Sequence, residues 1–214
     1  MIKKLERGTQ NEYFRPGVLV FAMICIAMIL EGQAKAEPVN PGVFIEKVAN
    51  DTFAAIRQLR KENNADPKAF EEIIQQTLLP HVDHVYSGLL ILGSSANSSA
   101  KQDIQAYLDV FKGYIKITYA SSLNYYQDQT VVFEPVKHEK DKDKVAVNAI
   151  VKDKGKPDIQ MQFKLRLDKS GDWKAYDLIV EGVSLVQSKR AEFAPIIRQQ
   201  GLPGLTALLA KKLQ

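Results

Sequence analysis

The fold is decided by the stretch Trp173-Lys174-Ala175-Tyr176-Asp177-Leu178-Ile179-Val180-Glu181-Gly182-Val183-Ser184-Leu185. Aromatic and β-branched residues dominate its first eight positions, which is typical of a strand packed on at least one face. The turn-forming residues 168–172 precede it and predict a hairpin. Glu181 and Gly182 end the strand, and a helical pattern follows. Asp177 stands inside the apolar run, where an unpaired charge is costly, so we expect its carboxylate to have a structural, hydrogen-bonded role.

Three more segments with a period of two residues precede this strand, at 130–133, 145–151 and 159–167. The third alternates most cleanly, with Ile159, Met161, Phe163, Leu165 and Leu167 on one side and Gln160, Gln162, Lys164 and Arg166 on the other. Such alternation indicates a sheet with one covered face and one solvated face, which is typical of antiparallel sheets. The sequence therefore predicts a meander of four antiparallel strands.

Helical periodicity fills the chain before and after these strands. Residues 43–59, 67–79, 82–92 and about 100–125 space their apolar side chains at helical intervals. Asp66 followed by Pro67 is typical of a helix start, and the pattern after Gly182 stops at Gly201 and then restarts. Helices, then strands, then helices predict a single α+β domain, with helices packed on one face of a twisted four-stranded antiparallel sheet.

The N-terminus has the layout of a secretory signal. Basic residues precede an apolar run at 17–30, and Ala34-Lys35-Ala36 follows it as a small-x-small cleavage site. The run of 14 residues is shorter than the roughly 20 that a membrane-spanning helix needs. We predict a cleaved signal peptide at 1–36 and a mature domain at 37–214; an uncleaved membrane anchor is the alternative.

Composition and charge exclude several classes of protein. The chain has 214 residues, 45% of them apolar, with a net charge of +4, which does not suggest a nucleic-acid partner. Removing the five basic and three acidic residues of 1–36 leaves 24 − 22 = +2. The one cysteine, Cys25, would leave with the signal, so the mature protein would hold together without disulfides.

Two clusters were considered for catalytic or metal-binding chemistry. His81 and His84 stand one helical turn apart, as in two-histidine metal sites, but no third ligand is evident, and Asp83 between them suits a helix cap. Asp177, with Tyr176, could act as a base in an apolar pocket, as in small α+β isomerases. Adjacent strand residues point to opposite faces, which argues against a shared pocket for these two. We expect no catalytic residue, no metal and no cofactor; an Asp177-dependent enzyme remains the alternative.

The stretch that begins at Trp173 resembles the signature of the MlaC family, also called toluene-tolerance proteins. The pattern Trp-x-x-Tyr-Asp-x-x-x-Glu-Gly-Val-Ser is matched by Trp173, Tyr176, Asp177, Glu181, Gly182, Val183 and Ser184. A second block is similar to the family at Leu78-Leu79-Pro80-His81-Val82-Asp83, Leu92-Gly93, Phe111 and Thr118-Tyr119-Ala120. The likeness covers nearly all of the mature chain.

The resemblance implies a periplasmic phospholipid carrier, a monomer that encloses acyl chains in an apolar cavity within a fold related to the nuclear-transport-factor-like fold. It implies three partners: phospholipid as cargo, an outer-membrane lipoprotein–porin complex, and an inner-membrane ABC transporter with an MCE-domain subunit. The residues expected to line the cavity are Leu89, Phe111, Ile115, Tyr119, Met161, Phe163, Leu165, Leu178 and Val183. The pattern alone does not distinguish a hollow interior from a filled core.

Overall fold

The structure, a computed structural model, describes residues 39–62, 66–123, 126, 129–136 and 142–214. These residues belong to one compact unit, Pro38–Gln214. The predicted signal peptide at 1–36 lies outside the described residues, so its cleavage stays a prediction. Within the described part of the chain, no helix has both the length and the apolar character needed to cross a bilayer.

The first half of the described chain is helical. Its helices are α1 (Pro41–Lys61), α2 (Pro67–Ile73), α3 (His84–Leu92), the short α4 (Ser95–Ser98) and α5 (Lys101–Leu123). Asp66 caps α2 by accepting a hydrogen bond from the Ala69 amide, with Pro67 at the first position, as predicted. Between α2 and α3 the chain forms a π-helical turn, Ile74–Leu78, and a 3₁₀ turn, Leu79–His81.

Five antiparallel strands follow in the order β1-β2-β3-β4-β5. They are β1 (Thr130–Phe133), β2 (Lys144–Lys152), β3 (Ile159–Leu167), β4 (Trp173–Val180) and β5 (Val183–Ser184). The α+β class and the antiparallel meander are confirmed, but the predicted count of four strands is one too few. The fifth strand has only two residues, which is too short to show a period of two.

A last helix, α6 (Leu185–Lys211), closes the chain. Ser184 caps its start by accepting a hydrogen bond from the Gln187 amide. The predicted interruption at Gly201 is confirmed, because this residue has φ 69° and ψ 178° and breaks the helical path. That conformation is open almost only to glycine, so the sequence signal and the kink have the same cause.

The interior consists of two separate hydrophobic clusters. The helical cluster contains residues of α1, α2, α3, α5 and α6, with Ile56, Phe70, Tyr107, Phe193 and Leu205 among the most buried. The sheet cluster is smaller and packs the start of α1 against β2, β3 and β4; its buried members are Ile45, Val147, Leu165 and Trp173. The two clusters share no residue, so the sheet and most of the helical layer do not form one continuous core.

Candidate functional site

The helical layer and the sheet meet where β4 approaches the start of α6. The Asp177 carboxylate accepts a hydrogen bond from the Ser184 hydroxyl (2.7 Å) and one from the Val186 amide (3.1 Å). The Lys164 ammonium lies 3.7 Å from the same carboxylate, whose side chain is 5% exposed. A carboxylate at a helix N-terminus is favoured by the helix dipole. Asp177 therefore ties β4 to α6, which accounts for a charge within an apolar strand.

A β-bulge changes the direction of side chains in the middle of β4. Lys164 pairs with Asp177 and Leu165 pairs with Ala175, so Tyr176 has no opposite residue on β3. Tyr176 packs edge-on against Tyr86 of α3, 5.2 Å between ring centroids. The Arg166 guanidinium covers the same Tyr86 ring at 4.3 Å, and Arg166 shares a face of β3 with Lys164. Tyr176 and Asp177 thus point to one side of the sheet, and the alternation argument used against a shared pocket is wrong at this position.

The chain before α3 joins the other edge of β4. The Asp83 amide donates to the Ala175 carbonyl (2.8 Å), and Val82 forms an isolated parallel bridge with Ala175. The Asp83 carboxylate accepts from the Tyr86 amide and pairs with Arg166 at 2.5 Å. The predicted capping role of Asp83 is confirmed, and its ion pair with Arg166 adds a link between α3 and β3.

A patch of half-buried apolar side chains lies on the part of β3 and β4 that adjoins this junction. It consists of Met161, Phe163, Leu178 and Val180, which face one another in the register Met161–Val180 and Phe163–Leu178. All four keep some exposed surface, and only Phe163 packs against the sheet cluster. We call these four residues the junction patch. An apolar surface that neither cluster covers fully is suited to contact with an apolar ligand.

Tyr119 of α5 belongs to the helical layer. It packs against the helical cluster and yet keeps some accessible surface. Burial, and to a smaller extent the charge of Asp177, raises the pKa of Tyr119 to about 12. Tyr119 is therefore a largely buried phenol at the edge of the helical cluster.

The structure brings together some of the nine predicted lining residues and separates others. Met161, Phe163 and Leu178 lie together in the junction patch, whereas Tyr119 lies on α5 at the edge of the helical cluster. Phe111 and Ile115 are buried within the helical cluster, and Leu165 is fully buried in the sheet cluster. Leu89 is 36% exposed and Val183 is 57% exposed. A period of two marks the covered face of a strand, but it does not show where packing along that face ends.

His81 and His84, considered above for a metal site, are both half-buried. The His81 ring contacts Phe44 edge-on, 5.5 Å between ring centroids. Burial lowers the pKa of both His81 and His84, with the charges of Lys174 and Lys112, respectively, adding to the effect. No group of three or more potential metal ligands occurs among residues 39–62, 66–123, 126, 129–136 and 142–214.

The sequence did not predict that Val180 belongs to the junction patch, nor that Tyr86, Arg166 and Tyr176 contact one another. Val180 lies at the end of the strand, opposite Met161, and the register alone places it in the patch. Tyr86 and Arg166 are 80 residues apart, so no local pattern links them. The bulge at Tyr176 has no local sequence signal, because it appears only in the pairing of β3 with β4.

Two surface depressions occur away from the junction. One, of about 390 Å³, lies beside the Gly201 kink and includes Ser95, Asp103 and Arg198. The other, of about 250 Å³, lies at the end of α1 and is lined by Ile56, Arg57, Arg60, Lys61 and Tyr126. Neither contains any of the nine predicted lining residues.

The architecture defines the chain as a single-domain α+β protein with separate helical and sheet clusters and a half-buried apolar patch on β3 and β4. The sequence profile of the MlaC protein family matches residues 46–211, and the chain belongs to this family. The resemblance noted from Trp173–Ser184 is thereby confirmed.

Relatives and a solved structure agree with this assignment. The intermembrane phospholipid transport system binding protein MlaC of Haemophilus influenzae is 28% identical over 188 residues, 87% of each chain. The toluene tolerance protein ttg2D of Pseudomonas putida is 21% identical over 164 residues, 76% of this chain and 75% of that protein. The phospholipid-binding protein of Ralstonia solanacearum, solved in complex with a phospholipid, matches with a TM-score of 0.72 at 22% identity. It covers 82% of this chain and 97% of that one, and the match shows a common fold.

Proposed function

We propose that this protein is a periplasmic phospholipid carrier that encloses acyl chains between its helical layer and its sheet. The observation that carries the proposal is the division of the interior into two clusters, with the junction patch on β3 and β4 left half-buried. The relatives named as phospholipid-binding and phospholipid-transport proteins support it. Acyl chains would complete the packing that the protein alone leaves unfinished.

The residues proposed to contact acyl chains are Met161, Phe163 and Leu178 on the sheet and Tyr119 on α5. Each of them combines apolar surface with residual accessibility. Phe111, Ile115 and Leu165 would support this lining from within the two clusters. Asp177 has a structural part in the proposal, because both of its oxygens are engaged with α6 and Lys164.

Energetics determine how such a carrier must exchange its cargo. At about 0.8 kcal/mol per buried methylene, two long acyl chains would lose roughly 20 kcal/mol on release into water. Lipid must therefore pass directly into an acceptor that is docked on the protein. We propose that the donors and acceptors are an outer-membrane lipoprotein–porin complex and an inner-membrane ABC transporter with an MCE-domain subunit. The name of the Haemophilus relative, which assigns it to an intermembrane phospholipid transport system, supports this step.

The test is to purify the protein from the periplasm without detergent and to quantify lipid in an organic extract by mass spectrometry. The proposal predicts a monomer with close to one phospholipid per chain. An Asp177-dependent enzyme acting on a small polar substrate would give an extract without lipid. That result, from folded and natively purified protein, would contradict the carrier function.

A further inference from the structure

The depression at the end of α1 combines positive charge with an apolar floor. Arg57, Arg60 and Lys61 line it together with the Tyr126 ring, and fully buried Ile56 lies at its base. Arg57 and Lys61 are four residues apart on α1, so they project from the same side of the helix. We propose that this depression binds a phosphate group, and that this is the phosphate of the phospholipid cargo; the second part of the inference rests on the proposed carrier function.

The charge of the depression exceeds what the helix end requires. The C-terminal end of a helix has the equivalent of about half a negative charge, which one cation offsets. Arg57 donates to the Tyr126 hydroxyl at 3.2 Å, and among the described residues neither Arg57 nor Lys61 forms an ion pair. Glu62, the acid at this end of α1, accepts a hydrogen bond from Gln58. Two cations with unused donors around one cavity are suited to a dianionic or monoanionic phosphate.

The volume and the groups around it fit a phosphate better than a larger ligand. A cavity of about 250 Å³ is below the usual range for drug-sized ligands, roughly 300–1,000 Å³. Arginine presents a planar set of donors that matches phosphate oxygens, and lysine adds a point charge. The Tyr126 hydroxyl, which accepts from Arg57, still has its own proton to donate. One phosphate could therefore receive donors from two side chains of α1 and from Tyr126.

The end of α5 connects the depression with Tyr119, one of the residues proposed to contact acyl chains. Tyr119 and Leu123 are one turn apart near the end of α5, and Tyr126 follows, its amide donating to the Leu123 carbonyl at 3.0 Å. All three pack against the helical cluster. Four helical residues advance about 6 Å, so Tyr126 lies within a lipid's length of Tyr119. Phe53 stacks on Tyr126, 4.4 Å between ring centroids, so an apolar aromatic pair adjoins the depression. A lipid with its phosphate at Arg57 and Lys61 could place its chains toward Tyr119.

The test compares lipids that have the same acyl chains with and without a phosphate. Wild-type protein is offered an equimolar mixture of a phosphatidyl lipid and the matching diacylglycerol, and the bound ratio is measured by mass spectrometry. We expect a preference of about ten-fold for the phosphatidyl lipid, reduced to about two-fold in Arg57→Gln/Lys61→Gln, since hydrogen bonds to charged groups contribute most of such a preference. The double variant Lys154→Gln/Lys169→Gln removes the same charge from two exposed turns of the sheet and should behave as wild type.

A second arm uses inorganic phosphate alone, followed by ³¹P NMR at low and high salt. Binding to wild type that weakens with salt and is lost in Arg57→Gln/Lys61→Gln, without any lipid preference, would assign the site to free phosphate and overturn the headgroup assignment. No difference between wild type and this variant in either arm would overturn the whole inference, and so would equal losses in the sheet-turn variant. If Arg57→Gln/Lys61→Gln does not fold, the single variant Lys61→Gln is used with the same criteria, because Lys61 is exposed. If both lipids bind without preference, the headgroup inference fails and the carrier function stands. If phosphate binds and neither lipid does, the carrier function fails and the phosphate site stands.

Discussion

Introducing tryptophan at two positions of the same strand face distinguishes a lipid-contacting surface from packed core. Met161 and Leu165 point to one side of β3, but Met161 is half-buried outside both clusters whereas Leu165 is 0% exposed within the sheet cluster. Leu165→Trp overpacks a filled site and should cost about 1–3 kcal/mol. For a domain of this size, that loss lowers Tm by roughly 2–12 °C. Met161→Trp adds its indole to space that the acyl chains would use, so the lipid-free protein should change by less than about 1 kcal/mol while bound lipid falls.

The assay must separate the two effects, because bound lipid itself stabilises the folded state. Stability is therefore measured by urea unfolding of protein from which lipid has been extracted, and lipid per folded chain is measured separately on natively purified protein. Gln162→Trp is the control, since Gln162 lies on the other face, where its amide donates to Asn148. If Met161→Trp destabilises as strongly as Leu165→Trp and keeps its lipid, the junction patch is ordinary core and the reasoning fails.

Three further predictions concern the junction, its histidines and the kink. Asp177→Asn should lower the free energy of unfolding by about 1–2 kcal/mol, because it removes a charge at the start of α6; unchanged stability with loss of lipid would contradict the structural role. Burial lowers the pKa values of His81 and His84 in the folded state, so the unfolded chain binds protons more tightly. Stability should be constant above about pH 6.5 and fall below it, and the His81→Gln/His84→Gln variant should flatten this slope in urea titrations at pH 5 to 7.5; an unaltered slope would refute the assignment. Gly201→Ala should lower the free energy of unfolding by about 1–3 kcal/mol, because alanine is strained at a φ of 69°. A steric clash would not contribute, since the added Cβ would meet only the Pro203 ring at an ordinary 3.5 Å. An unchanged unfolding midpoint would exclude that strain.

The elements whose cause is local could be predicted from the sequence. The third strand was predicted at 159–167 and is observed as Ile159–Leu167, because its alternation is unbroken. Asp66 before Pro67 and the glycine at 201 gave the start of α2 and the kink of α6, since each acts through its own backbone geometry. Features that depend on contacts with residues distant in the sequence could not be predicted from the local pattern. The π-helical turn at Ile74–Leu78 has no signature of its own and interrupts what reads as one helix.

The candidate site was predictable in part for the same reason. Strand patterns placed Met161, Phe163 and Leu178 on strands, and helical periodicity placed Tyr119 on an apolar helix face. Their contact with acyl chains stays a prediction. The limit of the sheet cluster did not follow, because Leu165 and Met161 have the same pattern and differ only in whether α1 covers them. Nor did the bulge at Tyr176, which exists because Tyr86 and Asp83 bind this part of β4 from α3.

The chain covers one edge of its own sheet, and this limits aggregation through that edge. The outer side of β4 is occupied twice, by Val82 at Ala175 and by β5 at Ile179 and Val180. Unoccupied backbone donors and acceptors of a border strand recruit other chains into aggregates. At the opposite border, β1 offers only the four residues Thr130–Phe133 for such recruitment. Neither edge of the sheet therefore offers a long row of free backbone groups to which another chain could add.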